Sequence, residues 1–190
     1  IEEFSQYEAE RGENKILMDK NECPFPLPAK LKRELEKKIK KVDLNRYPHI
    51  NTDPLREKIA KFVGYRKENI LVGNGSDELI PYLLKIFAGE KIIVNSPTFS
   101  MYRFYGTLES LEVAEIPLKG DFSLSLEEIK RNLNGTRAIL ICSPNNPTGN
   151  IQSREDIIEL LDLEVPVILD EAYQEFSPAS NLDLIEKYDN

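Results

Sequence analysis

The segment VPVILDEAYQEF, Val165 to Phe176, runs an apolar stretch into two adjacent carboxylates, Asp170 and Glu171, with Tyr173 two places beyond. An acid that closes a buried strand must find a partner, because burying it unpaired is costly. A protonated ring nitrogen would serve, since the pair keeps both groups charged. Tyr173 could then donate to a second oxygen of the same ligand. Asp170 capping a following turn or binding an arginine is the other reading. Glu171 points to the opposite face of a strand and reads as structural.

Three more segments carry chemistry of a related kind: GNGSDE (73–78), NSPTFSMY (95–102) and CSPNNPTGN (142–150). In the first, glycines allow a sharp turn, and the helix start that follows offers free N–H groups and a positive dipole end. With the hydroxyl of Ser76, an anion such as phosphate fits; a plain helix cap with Asp77 and Glu78 in the first turn is the alternative. No G-x-x-x-x-G-K-[ST] occurs, and Gly73-x-Gly75 lacks the third glycine of the dinucleotide fingerprint. In the last, two prolines fix the backbone around Asn145 and Asn146, so an amide can be aimed at a ring oxygen with little entropic loss. A rigid turn that uses asparagines for their dihedrals explains the same residues. Phe99 could stack on a flat ring or belong to the core.

These segments must be carried by elements that bring them together. After an arm to about Pro28, AKLKRELEKKIKKV has Leu31, Leu35, Ile39 and Val42 at helical spacing, its lysines forming a solvated face. DPLREKIAKFVG reads as a helix with Asp53 as cap, Pro54 first and Gly64 as stop. The chain then alternates. NILVG, KIIVNSP, EVAEIPL, RAILICSP and VPVILDEAY read as strands. SDELIPYLLKIFAG, with Pro81 kinking or delaying it, FSMYRFYGTL, SLEEIKRNL, with a capping box from Ser125 to Glu128, and SREDIIELLD read as helices. Near-continuous apolar strands alternating with helices predict a three-layer α/β/α fold with a mainly parallel sheet. Ligands of such sheets sit at the carboxyl ends of the strands, where all four segments fall.

Composition bounds the rest. A net charge of −8 argues against nucleic acid, and no apolar run reaches the roughly 18 residues that cross a bilayer. Cys23 and Cys142 are too few for a disulfide framework, neither has metal-ligand spacing, and His49 is the only histidine. A cytoplasmic location is expected.

The ordered set GNGSDE, SPTF, SPNNPTG and DEAY resembles the fold type I pyridoxal-phosphate aminotransferases, over nearly the whole chain. LNRYP (44–48) and NECPFP (21–26) look like the histidinol-phosphate aminotransferase family, whose arms read N-E-N-P-F-P. The resemblance implies pyridoxal 5'-phosphate as cofactor, with Gly75, Ser76 and Asp77 at its phosphate and Phe99 on its ring, where the family usually has tyrosine. It places Asn146 and Tyr173 at the ring oxygen and Asp170 at the ring nitrogen, where holding the proton keeps the ring an electron sink. It places Tyr47 at the phosphate of a partner subunit, in a homodimer, and Tyr7 and Asn21 near substrate. Residues 1–45 would be the arm with part of a small domain, and 46–190 part of the cofactor-binding domain. The implied reaction moves an amino group between histidinol phosphate, a phosphorylated amino compound, and the 2-oxo acid 2-oxoglutarate. A decarboxylase of a phosphorylated amino acid and a non-catalytic phosphate-binding domain are the alternatives. The Schiff-base lysine that transamination requires is expected beyond Asn190, since Lys187 reads as a surface residue.

Overall fold

The computed structural model describes residues 20–47, 52–87, 89–178 and 180–190. The chain divides into two compact units, one ending at Leu71 and the other running from Val72 to Asn190.

The first unit carries helices α1 (Ala29–Ile39) and α2 (Asp53–Val63) and a 3-10 turn at Lys67–Asn69. The spacing of Leu31, Leu35 and Ile39 does give a helix, yet α1 buries none of its residues. Gly64 ends α2 at φ 82°, in the left-handed region where glycine carries no Cβ penalty. The cap is Thr52 rather than Asp53, which is the first helical residue. The Asp53 carboxylate pairs instead with Arg56 at 3.1 Å and Lys67 at 3.5 Å. Arg56 also donates to the carbonyls of Lys67 and Ile70, at 2.7 and 2.8 Å. That accounts for one failed expectation: NILVG is not a strand. The N–H of Ile70 closes the 3-10 turn on Lys67, its carbonyl is held by Arg56, and no described strand pairs with the segment.

The second unit is a four-stranded parallel sheet in the order β2-β1-β3-β4. Its strands are β1 (Lys91–Ser96), β2 (Glu112–Pro117), β3 (Thr136–Cys142) and β4 (Val167–Asp170). Helices α3 (Ser76–Ile86) and α4 (Met101–Leu108) cover one face, α5 (Leu126–Arg131) and α6 (Arg154–Leu161) the other. The strand periodicity explains the division. Ile92, Val94, Ala138, Leu140 and Cys142 pack with Ile80, Leu84 and Tyr102, while Ile93, Ile139 and Ile141 pack with Ile129 and Leu160. Central strands must be apolar on both faces, and β1 and β3 are. The three-layer α/β/α architecture is the one the alternation predicts.

Two local expectations change. Pro81 neither delays nor ends α3, which starts at Ser76 and runs through it to Ile86. The capping box does not form: the Ser125 hydroxyl donates to the Pro117 carbonyl at 2.7 Å, and Glu128 pairs with Arg131. Ser125 thereby ties α5 to the end of β2. From β1 the chain goes first to β2 and then back across to β3 on the other side. The carboxyl ends of β1 and β3 therefore flank a topological switch point, the place where sheets of this kind open a crevice.

Candidate active site

β4 delivers Asp170 to the carboxyl edge, in register with Cys142 of β3. One carboxylate oxygen, Oδ1, accepts from the Ala172 N–H at 3.0 Å, and the other, Oδ2, accepts from the Tyr102 hydroxyl at 2.8 Å. So Asp170 does cap the turn that follows it. No described Lys or Arg forms an ion pair with it. Tyr102 is fully buried on α4, its ring edge-on to Phe99 with centroids 5.5 Å apart and planes at 85°. Burial, reinforced by the Asp170 charge, pushes the Tyr102 phenol far up, so it acts only as a donor. Burial likewise raises the Cys142 thiol, which lies against Tyr102 and donates to the Pro144 carbonyl at 3.2 Å. The acid thus has three neutral neighbours, and each oxygen retains lone-pair capacity for a further donor.

The two asparagines of SPNNPTG separate sharply. Asn145 is 4% exposed. Its Oδ1 accepts from Thr98 Oγ1 at 2.8 Å, and its Nδ2 donates to the Pro97 carbonyl at 3.0 Å and to Thr148 Oγ1 at 2.7 Å. It sutures the loop after β1 to the loop after β3. Asn146 is half-buried, and no described group bonds its side chain. Of the pair, Asn146 keeps an amide to offer.

The start of α3 faces open space: a Cβ at Gly75, φ 81°, would meet nothing within 4 Å. Ser76 is the first helical residue. Asp77 lies near the Tyr105 phenol, which is raised mainly by burial and then by this charge. Glu78 accepts from the Asn74 N–H. The acids of the turn are therefore engaged by the protein, and the first N–H groups of the helix lack intrahelical partners. α4 links the parts, with Tyr102 on Asp170 and Tyr105 on Asp77.

Phe99 follows β1, Asn146 follows β3 and Asp170 ends β4, while Gly75, Ser76 and Asp77 stand at the start of α3 without a described strand before them. Tyr173 follows β4, half-buried. Glu171 has the structural part expected of it, accepting from Ser180 Oγ at 3.0 Å and the Asn181 N–H at 2.8 Å. Tyr47 and Asn21 belong to the first unit and are exposed, Asn21 with φ 53°. Tyr7 lies outside the described residues. Sequence reasoning missed Tyr102, Thr98 and Cys142. The signal for Tyr102 was its place three residues after Phe99, which puts both on one side of a helix start.

No group of three or more His, Cys, Asp or Glu among the described residues is placed to hold a metal. No helix among them is long and apolar enough to cross a membrane.

The parallel sheet of the second unit ends, at β4, in an acid held by a phenol and a backbone N–H. A sequence model of aminotransferase class I and II matches residues 13–190, and the chain belongs to that family. It is similar to a histidinol-phosphate aminotransferase from Pyrococcus furiosus, at 51% identity over 98% of this chain and 55% of that protein. One from Thermococcus gammatolerans is 46% identical over 100% of this chain and 56% of the relative. The solved histidinol-phosphate aminotransferase of Clostridium acetobutylicum superposes with a TM-score of 0.76 at 26% identity, over 87% of this chain and 50% of that one. Aspartate aminotransferase of Thermotoga maritima gives 0.72 at 29% identity, over 80% and 44%. The chain spans about half the length of the curated relatives it matches.

Proposed function

We propose that this chain forms the cofactor-holding part of a pyridoxal-phosphate-dependent enzyme that moves an amino group between histidinol phosphate and 2-oxoglutarate, in histidine biosynthesis. The observation that carries the reading is Asp170: an acid at a strand end, held by a phenol and a backbone amide, with no described cation paired to it. When bound, pyridoxal phosphate supplies an electron sink for the bond changes at the substrate's α-carbon.

The residues fit that group. Asp170 would hold a proton on the ring nitrogen, and Tyr102 fixes the carboxylate's orientation by occupying Oδ2. Asn146, whose amide has no described partner, would meet the ring oxygen together with Tyr173. Phe99, braced edge-on by Tyr102, would lie against the ring face. The N–H groups around Gly75, Ser76 and Asp77 would receive the phosphate, with the Ser76 hydroxyl, where nothing crowds the glycine. Tyr47, fully exposed on its own unit, is available to a partner subunit's phosphate in a homodimer. Asn21 and Tyr7 are assigned to the substrate side. On this reading residues 1–45 belong to the arm with part of the small domain and 46–190 to part of the cofactor domain of a cytoplasmic enzyme.

The substrate assignment rests on the names of relatives 51%, 46% and 43% identical to the chain. The test is an assay of the intact protein with histidinol phosphate and 2-oxoglutarate, expected to yield glutamate. An intact protein that holds pyridoxal phosphate yet makes no glutamate would overturn the substrate. Carbon dioxide released without keto-acid turnover would point to a decarboxylase.

A further inference from the structure

On the face of the sheet turned away from Asp170, three buried polar atoms have no hydrogen-bond partner among the described residues: Asn95 Nδ2, Asn95 Oδ1 and Gln152 Oε1. Asn95 is 5% exposed and Gln152 3%. Asn95 is the penultimate residue of β1 and lies in register with Ile116 of β2. By strand alternation its side chain shares the face of Ile93, packed with Ile139 and Ile141. Gln152 closes the same face at the same end. Its N–H donates to the buried Ser143 hydroxyl at 3.1 Å, and its Nε2 donates to the Phe122 carbonyl at 3.1 Å. Phe122 is held at φ 63°, and its carbonyl also accepts from Asn150 at 3.0 Å. The orphaned atoms thus stand behind the loop that carries Asn146, between the ends of β1 and β3.

A buried amide left without partners is costly, so a native fold supplies one. The chemistry selects it. Two acceptors and one donor group must be satisfied together. A cation would meet the oxygens but be repelled by the amide N–H groups, and an anion the reverse. Water offers two donors and two acceptors, and a buried water makes about three such bonds. Exchanging the oxygen and nitrogen of Asn95 leaves this count unchanged. We infer that Asn95 and Gln152 form an internal water site that joins the carboxyl end of β1 to the Asn146 loop from behind the candidate active site. The inference is independent of the proposed reaction.

The test is a crystal structure of the intact protein at a resolution that shows ordered solvent, with water-oxygen relaxation dispersion of the wild type and Asn95→Leu in solution. The expected result is a water within hydrogen-bond reach of the Asn95 amide and Gln152 Oε1, and loss of one slowly exchanging water in the variant. The two amides bonded to each other or to other protein groups, or no water peak between them, would overturn it, as would unchanged dispersion in a folded variant. If Asn95→Leu does not fold, the wild-type structure alone decides.

Discussion

On one face of the sheet's carboxyl edge, Asp170 is ringed by a phenol, a thiol and a backbone N–H; on the other, the buried Asn95 amide has no hydrogen-bond partner among the described residues. Both side chains come from strand ends of the same parallel sheet. The difference lies in the helices. α4 presents Tyr102 to the acid's face, whereas α5 and α6 present Ile129 and Leu160 to the rear. A charged group tolerates such a position only where the covering helix brings a donor, and a neutral amide can make do with solvent. The acid's face accordingly carries the hydrogen-bond donors, and the rear face the apolar packing.

Four experiments on the intact protein test that contrast. The largest effect is expected at Asp170. Removing one partner of a buried charge pair costs roughly 3–5 kcal/mol, so Asp170→Ala should lower turnover by roughly 10²–10⁴-fold and release pyridoxal phosphate on gel filtration. Unchanged turnover and cofactor content would end the assignment. Next come the two apolar cores. Leu84→Ala beneath the acid's face and Leu160→Ala beneath the rear, both fully buried, should each destabilise by about 2–5 kcal/mol in urea titrations. Only the first should also weaken cofactor binding.

Tyr102→Phe removes a hydrogen bond to a charged group, worth about 1.5–3 kcal/mol, and should carry a pH signature. The phenol's value is raised in the folded state. Above the ordinary tyrosine value of about 10 the unfolded chain therefore loses a proton that the folded chain keeps, and stability falls as pH rises. The Phe variant should lose that part of the alkaline decline in urea midpoints measured upward from pH 9. An identical decline in both proteins would remove Tyr102 from the account. The smallest pair divides the asparagines. Asn145→Ala strands Thr98 and the Pro97 carbonyl and should cost about 1–3 kcal/mol. Asn146→Ala should stay within about 0.5 kcal/mol in thermal unfolding while weakening cofactor binding in a fluorescence titration. Equal stability losses would mean that both asparagines serve the turn.

Much of this was legible in the residues. Pro54 and Gly64 bracket α2 because one lacks a donor and the other a Cβ, properties that need no neighbours to act. The alternation of apolar strands and helices was enough for the parallel sheet, and with it for placing Asp170 at the carboxyl edge. Other features were invisible because they depend on competition between partners. Ser125 had a helix to cap and a β2 carbonyl within reach, and the carbonyl won. Ile70 read as a strand residue until Arg56, fourteen places earlier, took its carbonyl.

What the sequence determined by itself was the set of local preferences: which segments coil, which extend, and which polar residues end apolar strands. Those follow from each residue's own shape and periodicity. Only the tertiary structure decided which of two adjacent asparagines is spent on the fold, which tyrosine holds the acid, and which face buries an unpartnered amide. Each of those is settled by a partner 47 or 68 residues away in the chain, or by the absence of one among the described residues, and a hydrogen bond is made by proximity in space, which packing alone supplies.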